Sequence, residues 1–515
     1  MSQTIDMHHG ECHVRLADSA LHALKWRYTG TACQVGLQFI IGVILARLLT
    51  PEAFGLVGMA LIVVGFGRLI ADLGFGVAII QSPCLEQKHV RAALTGNVMM
   101  GLLLFGVLWV AAPSISDVFA QRTLMPVLRT IGVYFLPSGM STTLSCLLRR
   151  ELRFRTIALI ETTSYAAGFG VVGVSMAICG YGVWSLVAAN ILQPVCLIVL
   201  ALYATKLPLR PYFHFQEYHD LVRVAFAEML NNVTNYFAEN LDFAVTGKWL
   251  GASALGLYSR SFYLATLPMY QFSAGLSSVM FPVFSKIQSD PPRLGRAYLQ
   301  TVSLTAMVTM PVLFGIASAP GVVIRGLFGS QWEPAAGALQ VLCYSGSLWA
   351  VIYAGSAVSH ARGYLFSEWR RQVIYFIVMV LAVWMLSPIG IQGVALAVAS
   401  ATLTRYLLLA QLTVKLTGVN YRDFFLAQIP GCLLGVIVAA TVSVTAKLGV
   451  MLSIPDVLLL CIIGVASMAS LIVSLAVLPL SWLGDFYPWL NEHFGLRLPP
   501  GLRRIIAAKL QTSEA

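Results

Sequence analysis

The chain has 515 residues, of which 58% are hydrophobic and only 11% are charged. A typical soluble domain has about 25% charged residues, so this composition excludes an ordinary soluble enzyme or binding module. The net charge of +11 would suit a nucleic-acid partner, but its distribution along the chain is that of a membrane protein, so nucleic acid is not an expected partner.

Fourteen long apolar segments follow one another along the chain. Each is close to the roughly 20 residues that cross a hydrocarbon core about 30 Å thick. Two uncharged segments are long enough for two spans each, and turn residues divide them at Gly180-Tyr181-Gly182 and Ser387-Pro388-Ile389-Gly390. We predict an all-α fold with spanning helices near residues 28–49, 54–81, 92–112, 124–147, 156–178, 182–204, 224–247, 254–284, 297–320, 335–359, 372–387, 389–414, 424–446 and 457–480.

The basic residues indicate the orientation of these spans. The side that holds both termini carries 24 Lys and Arg, the opposite side carries 6, and Arg68, Arg260 and Arg405 lie deeper within spans. By the positive-inside rule, both termini are predicted to be cytoplasmic. The first 24 residues lack the apolar core of a cleavable signal peptide, so the first span is predicted to be an uncleaved anchor.

The loops are too short to hold a soluble catalytic domain. A phosphate-cradling Gly-x-x-x-x-Gly-Lys-Ser/Thr loop is absent, as is a recognisable Ser/His/Asp, Cys/His or paired-carboxylate constellation. The opposite face offers only three charged pairs: Asp117 with Arg122, Arg325 with Glu333, and Lys447 with Asp456. The sequence therefore predicts transport without covalent chemistry, and no cofactor or metal is expected.

An internal repeat divides the chain. Residues 47–56 resemble residues 248–257, since a basic residue, then Leu, Ala, Gly and Leu recur in register. Both copies join one span to an unusually long next span, and the six spans between them give the two halves the same orientation. Such a parallel repeat is typical of carriers with two lobes that rock around a central site. We predict a cytoplasmic tail at 1–24, lobes at 25–206 and 207–415, two additional helices within 416–480, and a cytoplasmic tail at 481–515.

Two blocks carry a family resemblance. Val43–Leu56 with the following Ala71–Gly76, and Leu241–Tyr258 with Phe281–Phe284, resemble Wzx-type polysaccharide flippases. The likeness extends over roughly residues 25–480, and it is strongest to the colanic-acid/exopolysaccharide branch of the multidrug/oligosaccharidyl-lipid/polysaccharide exporter superfamily.

The resemblance implies a bundle of 12 to 14 helices. Its substrate would be an undecaprenyl-pyrophosphate-linked oligosaccharide, flipped across the bacterial inner membrane for exopolysaccharide, capsule or O-antigen synthesis. The implied partners are this lipid-linked oligosaccharide, membrane lipid, and the polysaccharide polymerase and chain-length machinery. Composition and spacing alone indicate only a two-lobed, multi-pass carrier.

Charged residues within the spans are the candidate site residues, because a charge in hydrocarbon is costly unless it is paired or hydrated. Arg68 and Asp72 stand four residues apart on one face of the second span, where they would form either a transport site or a structural clasp. Arg405 lies near the centre of the twelfth span, with Arg260 as its predicted companion. Planar guanidinium groups suit a pyrophosphate because they bind its oxygens bidentately.

Polar and acidic residues complete the candidate set. Asn231, Asn235 and Tyr236 form a polar run inside the seventh span that could bind sugars. Glu239 and Asp242, three residues apart, could exchange protons or bind Na⁺. Glu161 is a further candidate for coupling or gating, although a position near the membrane face also fits simple snorkelling.

Two other functions remain open. An ion-coupled drug or small-molecule antiporter of the same superfamily would need acidic groups but no phosphate-binding cations. A membrane glycan polymerase or ligase would need an outward catalytic loop, which the sequence does not show.

Overall fold

The computed structural model describes residues 30–71, 87–151, 153–206 and 236–477. Within these ranges the chain is helical apart from short turns, and no strand is present. Counting the short 3-10 and π-helical segments inside them, the long helices are α1 Gly30–Leu48, α2 Pro51–Ala71, α3 Gln87–Val118, α4 Leu124–Arg150, α5 Phe154–Ile178, α6 Val183–Thr205, α7 236–250, α8 251–286, α9 Pro291–Ser318, α10 Ser330–Ala361, α11 Leu365–Ile389, α12 Ile391–Thr417, α13 Tyr421–Met451 and α14 Asp456–Val477. A short helix, Pro320–Phe328, lies between α9 and α10.

These helices match the predicted spans one for one. Twelve helices of the described ranges are long and apolar enough to cross a membrane, namely all except α7 and α8. The second and seventh predicted spans extend into residues 72–81 and 224–235, which lie outside the described ranges. The predicted all-α, multi-pass fold is confirmed.

Local sequence sets the helix ends. α9 begins after Asp290, whose carboxylate accepts a hydrogen bond from the Arg293 main-chain N–H at 3.1 Å, and Pro291 occupies the first turn, where it loses no helical hydrogen bond. α12 ends at Gly418, whose φ of 71° is a left-handed conformation that glycine adopts at little cost.

The chain divides into two compact units, Met1–Gly256 and Leu257–Ala515. In the described part of unit 1, a core of aliphatic side chains joins α3, α4, α5 and α6, and includes Val90, Leu144, Ile157 and Ala201. Asn97 is buried between α3 and α4, where its amide donates to the Gly139 carbonyl at 3.2 Å and to Thr143 Oγ1 at 2.7 Å. α7 and the first turns of α8 also belong to this unit.

Unit 2 has its core where α8, α9, α10, α12 and α13 meet. Tyr298 and Phe424 are stacked at 6.1 Å between ring centroids, and the Tyr298 hydroxyl donates to Thr413 Oγ1 at 3.0 Å. A second apolar cluster, which includes Val322, Val442 and Leu459, joins the short helix to α13 and α14. The two C-terminal helices are therefore packed into unit 2.

Within the described ranges, three long helices contain a π-helical segment. These segments are Ala166–Gly173 in α5, Thr246–Leu250 in α7 and Tyr270–Ala274 in α8. A π-helical turn admits an extra residue, redirects the side chains around it and is frequent at functional sites. Tyr270, at the start of the third segment, contributes to the site described next.

Candidate functional site

An aromatic group surrounds Arg405 inside unit 2. The Arg405 guanidinium lies 4.7 Å from the centre of the Trp349 ring and 5.5 Å from the centre of the Tyr375 ring. Trp349 and Tyr375 meet edge to face at 6.1 Å. α12 supplies the cation, while α10 and α11 supply the two rings. The two ring faces attract the guanidinium electrostatically and so replace part of the hydration that it loses.

The aromatic group continues from Trp349 toward α8. Tyr353 stands one helical turn beyond Trp349 on α10, with 6.4 Å between ring centroids. Tyr270 meets Tyr353 edge to face at 6.1 Å and is 46% exposed. An aromatic row therefore runs from the buried Tyr375 to the exposed Tyr270, with the guanidinium beside its inner half. No carboxylate of the described residues lies within salt-bridge distance of Arg405.

Arg260, the predicted companion of Arg405, has its own aromatic contact. It lies on α8, and its guanidinium is 5.6 Å from the centre of the Tyr263 ring. The two cations therefore rest on separate rings within unit 2.

α2 and α7 are in direct contact in unit 1. The Tyr236 hydroxyl donates to the Ile62 carbonyl at 2.6 Å, and Phe66 packs against both Tyr236 and Phe237. Arg68, in the last turn of α2, is exposed. The structure thus places one predicted site residue, Tyr236, against α2, the helix that also carries Arg68. Their predicted neighbours Asp72, Asn231 and Asn235 lie outside the described residues.

The predicted acidic residues differ in their surroundings. Asp242 is buried, and its main-chain carbonyl accepts a hydrogen bond from Thr246 Oγ1 at 2.6 Å, whereas Glu239 is exposed. Glu161 lies 3.9 Å from Arg149 Nη2, with 28% of its side chain exposed. This partner on the adjacent helix, at the predicted cytoplasmic end, agrees with the snorkelling interpretation. Among the described residues, no group of three or more His, Cys, Asp or Glu is placed to hold a metal ion.

A carboxylate with only 13% of its side chain exposed connects α10 to α11, and sequence reasoning missed it. Glu368 accepts hydrogen bonds from Ser356 Oγ at 2.6 Å and from Ser359 Oγ, and lies 3.3 Å from His360 Nε2. The sequence contained a signal for this contact. Three polar residues lie at helical spacing near the end of α10, namely Ser356, Ser359 and His360, and a glutamate follows in the first turn of α11.

Arg325 joins the short helix to both of its neighbours. Its Nη1 donates to Glu333 Oε1 at 2.6 Å and its Nε lies 3.3 Å from Asp456 Oδ2. Burial lowers the pKa of the Arg325 guanidinium, but the hydrogen bonds and charges of Glu333 and Asp456 outweigh burial and raise that pKa above its ordinary value. The sequence grouped Asp456 with Lys447, whereas the structure places Asp456 beside Arg325.

This chain, with its apolar helices and its cations within the spans, is similar to known protein families. A family model described as "Polysaccharide biosynthesis protein" matches residues 44–337, which is more than half of the chain. The chain belongs to this family. The resemblance to Wzx-type polysaccharide exporters that the sequence predicted is therefore confirmed, and the chain is a multi-pass membrane protein of a polysaccharide-biosynthesis family.

Three curated relatives support the assignment. The teichuronic acid biosynthesis protein TuaB of Bacillus subtilis (strain 168) is 26% identical over 66% of this chain and 70% of TuaB. The lipopolysaccharide biosynthesis protein WzxC of Escherichia coli (strain K12) is 25% identical over 65% of this chain and 68% of WzxC. The succinoglycan biosynthesis transport protein ExoT of Rhizobium meliloti (strain 1021) is 28% identical over 64% of this chain and 66% of ExoT.

Solved structures share the fold. The lipid II flippase MurJ in an inward closed conformation has a TM-score of 0.68 at 14% identity, and the match covers 88% of this chain and 98% of MurJ. An inward-facing multidrug transporter of the MATE family has a TM-score of 0.57 at 17% identity, covering 75% of this chain and 96% of the transporter. These identities are low enough that the likeness is one of fold alone, and the neighbours are transporters rather than enzymes.

Proposed function

We propose that this chain flips undecaprenyl-pyrophosphate-linked oligosaccharide repeat units across the bacterial inner membrane by alternating access. The units would serve exopolysaccharide, capsule or O-antigen synthesis, and polysaccharide polymerase and chain-length machinery would receive them. Both termini would be cytoplasmic. The observation that carries this proposal is Arg405, a guanidinium held on two aromatic rings within the spans of unit 2.

A pyrophosphate substrate would explain why Arg405 lies within the spans. Isolated arginine at the bilayer centre is strongly disfavoured, and residues of this kind usually pair with a carboxylate or serve a transported ligand. Contacts with aromatic faces leave the edge of the guanidinium, with its N–H groups, available for hydrogen bonds. Two phosphate oxygens match this planar fork, whereas a neutral or cationic drug would not.

Binding of the sugars would explain the aromatic row. Trp349, Tyr353 and Tyr270 offer apolar faces and, for the tyrosines, hydroxyl groups that suit a molecule with both C–H faces and hydroxyls. The lipid tail would remain in the bilayer. Arg260, Arg68, Tyr236, Asn231 and Asn235 would contribute to binding, while Asp72, Glu239, Asp242 and Glu161 are candidates for ion coupling or gating.

Export assays on Arg405 variants test the proposal. Arg405→Lys keeps the charge but loses the bidentate fork, so export should be partial. Arg405→Ala should nearly abolish export while the protein remains in the membrane at normal abundance. The assay is restoration of surface polysaccharide in a strain that lacks its own flippase, with membrane abundance measured in parallel.

Arg129 provides the matched control. It also lies over a tryptophan, 5.0 Å from the centre of the Trp109 ring, but in unit 1 near the start of α4. Arg129→Ala removes the same kind of cation–π contact and should leave export largely intact. Full export by the Arg260→Ala/Arg405→Ala double variant would refute the anion site and favour the antiporter.

A further inference from the structure

One face of α10 carries part of the aromatic row and continues to the predicted cytoplasmic end of the helix. Four residues at intervals of four, three and four share this face, namely Trp349, Tyr353, Ser356 and His360. Trp349 contacts the Arg405 guanidinium, whereas Ser356 and His360 contact Glu368 of α11. The same face of α10 therefore takes part in both the Arg405 site and the Glu368 contact.

α11 connects the same two places. Tyr375 contacts the Arg405 guanidinium, and Glu368 lies seven residues earlier on the same face of the helix. Between them, Arg371 donates to the Leu408 carbonyl of α12 at 2.9 Å, three residues from Arg405. Glu368 thus joins α11 to α10, and Arg371 joins α11 to α12. Together these two contacts set where the Tyr375 ring lies beside the guanidinium.

Glu368 and His360 form a titratable pair that reaches water on one side. His360 Nε2 lies 3.3 Å from Glu368 Oε2, and the two side chains are 49% and 13% exposed. An imidazole ordinarily titrates at about pH 6.5, so the charge of a histidine can change in the physiological range. A protonated imidazole attracts the carboxylate more strongly than a neutral one does. The contact between α10 and α11 is therefore strongest when His360 is protonated and Glu368 is ionised.

The other charged groups at this end of unit 2 have different surroundings. Arg362 and Arg371 donate to main-chain carbonyls of neighbouring segments. On α8, α9, α11 and α12, which pack together here, and in the turns between them, further charged side chains are exposed, namely Lys286, Asp290, Arg293, Arg296, Arg370 and Lys415. Among the described residues, His360 is the charged group within salt-bridge distance of Glu368.

We propose that Glu368 and His360 bind a proton that regulates the Arg405 site. The proposal rests on the proposed function, because the regulated ligand is the pyrophosphate of the lipid-linked substrate. When His360 is protonated, it holds α10 against α11, and this keeps Trp349 and Tyr375 on the Arg405 guanidinium. As the pH rises through the imidazole titration, the charge is lost and the two rings are held less firmly. Affinity for the pyrophosphate should therefore fall as the cytoplasmic pH rises.

The pH dependence of binding tests this regulation. The probe is undecaprenyl pyrophosphate, added to the purified full-length protein in lipid nanodiscs at about pH 6 and about pH 8.5, on either side of an ordinary imidazole titration. His360→Arg keeps a cation beside Glu368 that does not titrate in this range, so its Kd varies only with the ionisation of the probe. From the lower to the higher pH, the Kd of the unchanged protein should rise about two- to fivefold more than that of His360→Arg, which is the effect of a partly exposed ion pair.

Two further variants separate a proton site from a purely structural contact. Glu368→Gln removes the ionised partner of His360, so it should also lose the excess pH dependence. A purely structural role would instead weaken binding equally at both pH values and leave the excess pH dependence in place. Glu52→Gln is the matched control, because Glu52 is an exposed glutamate in the first turn of a long helix, and it should keep the full pH dependence. Equal pH dependence in the unchanged protein and His360→Arg would overturn the proposal.

Thermal unfolding without the probe separates this regulation from the proposed function. The charged contact of His360 stabilises the protein at about pH 6 and is lost by about pH 8.5, above the imidazole titration. The unfolding midpoint of the unchanged protein should therefore fall more between these values than that of His360→Arg. Where the probe binds, the pH dependence of its Kd decides. If the probe binds at neither pH while the midpoints differ in this way, the proton site stands and the pyrophosphate substrate is refuted. If the midpoints then change equally, the proton site is refuted as well.

Discussion

Guanidinium groups of this protein lie on aromatic rings and main-chain carbonyls as well as beside carboxylates. Arg405 and Arg129 rest on tryptophan rings. Arg371 donates to the carbonyls of Leu408 and Ser367, both at 2.9 Å. Carbonyl oxygens and ring faces stabilise a cation without adding a second buried charge, so they avoid the desolvation cost of a buried ion pair.

Arg371 provides a test at the residue scale. Arg371→Gln removes the charged donor to the Leu408 carbonyl, and we expect a loss of about 1.5–3 kcal/mol in stability, since hydrogen bonds that involve charged groups are worth about that much. The neighbouring Arg370 is exposed, and its guanidinium lies 5.6 Å from the centre of the Phe366 ring. Arg370→Gln should therefore leave the thermal unfolding midpoint of the purified protein nearly unchanged. Equal shifts in the two variants would contradict this role for the Arg371 hydrogen bonds.

At the scale of whole helices, polar groups at helix ends join neighbouring helices. Glu368 in the first turn of α11 accepts from Ser356 and Ser359 near the end of α10. Arg362, just after α10, donates to the carbonyl of Leu416 at the end of α12 and to that of Gln288 after α8. The Arg362 hydrogen bond to Leu416 satisfies a carbonyl that the end of α12 leaves without a helical partner, and both sets of contacts join neighbouring helices.

Replacing Glu368 tests the connection between α10 and α11. Glu368→Ala leaves two serine hydroxyls and His360 without their shared acceptor, so we expect a destabilisation of about 2–3 kcal/mol. Glu52→Ala is the matched control, because Glu52 also lies in the first turn of a long helix but is exposed. Both variants lose a similar interaction with the helix dipole, and only Glu368→Ala loses the acceptor shared by Ser356, Ser359 and His360. Comparable thermal unfolding midpoints for the two would show that the hydrogen bonds to Glu368 contribute little.

For the whole molecule, the distribution of basic residues predicts the orientation in the membrane. The 24-to-6 bias of Lys and Arg indicates that both termini and the connection near residue 152 face the cytoplasm. By the same rule, the turn between α5 and α6, around Tyr181, is predicted to lie on the opposite side. Loops with few basic residues translocate more readily, and we expect this positive-inside rule to hold in both halves of the chain.

Reporter fusions test this orientation. Fusions at residue 515 and near residue 152 should be active only with a cytoplasmic reporter, and a fusion near residue 181 should be active only with a periplasmic one. Periplasmic activity at residue 515 or near residue 152 would overturn the predicted orientation. Activity of a cytoplasmic reporter near residue 181 would instead show that the predicted span between residues 152 and 181 is wrong.

The sequence by itself determined the helical class, the positions of the spans and the residues whose charge is out of place in hydrocarbon. It could do so because bilayer thickness fixes span length and because charges collect at span ends. Only the tertiary structure decided the partners of those charges. Arg405 lies on rings from two other helices, and Arg325 lies beside Asp456.

The packing of α2 against the start of α8 shows the same division. A Cβ atom on Gly55 would lie 1.7 Å from the Ala252 carbonyl oxygen, and one on Gly256 would lie 1.9 Å from the Pro51 carbonyl oxygen. The repeat placed these glycines at equivalent positions, but the sequence did not indicate that each would touch the backbone of the other copy. Helices in lipid associate through close packing and a few hydrogen bonds, since lipid tails are as apolar as the side chains that they meet. Packing of this kind leaves no periodic signal in the sequence, so it is decided only when the helices come together.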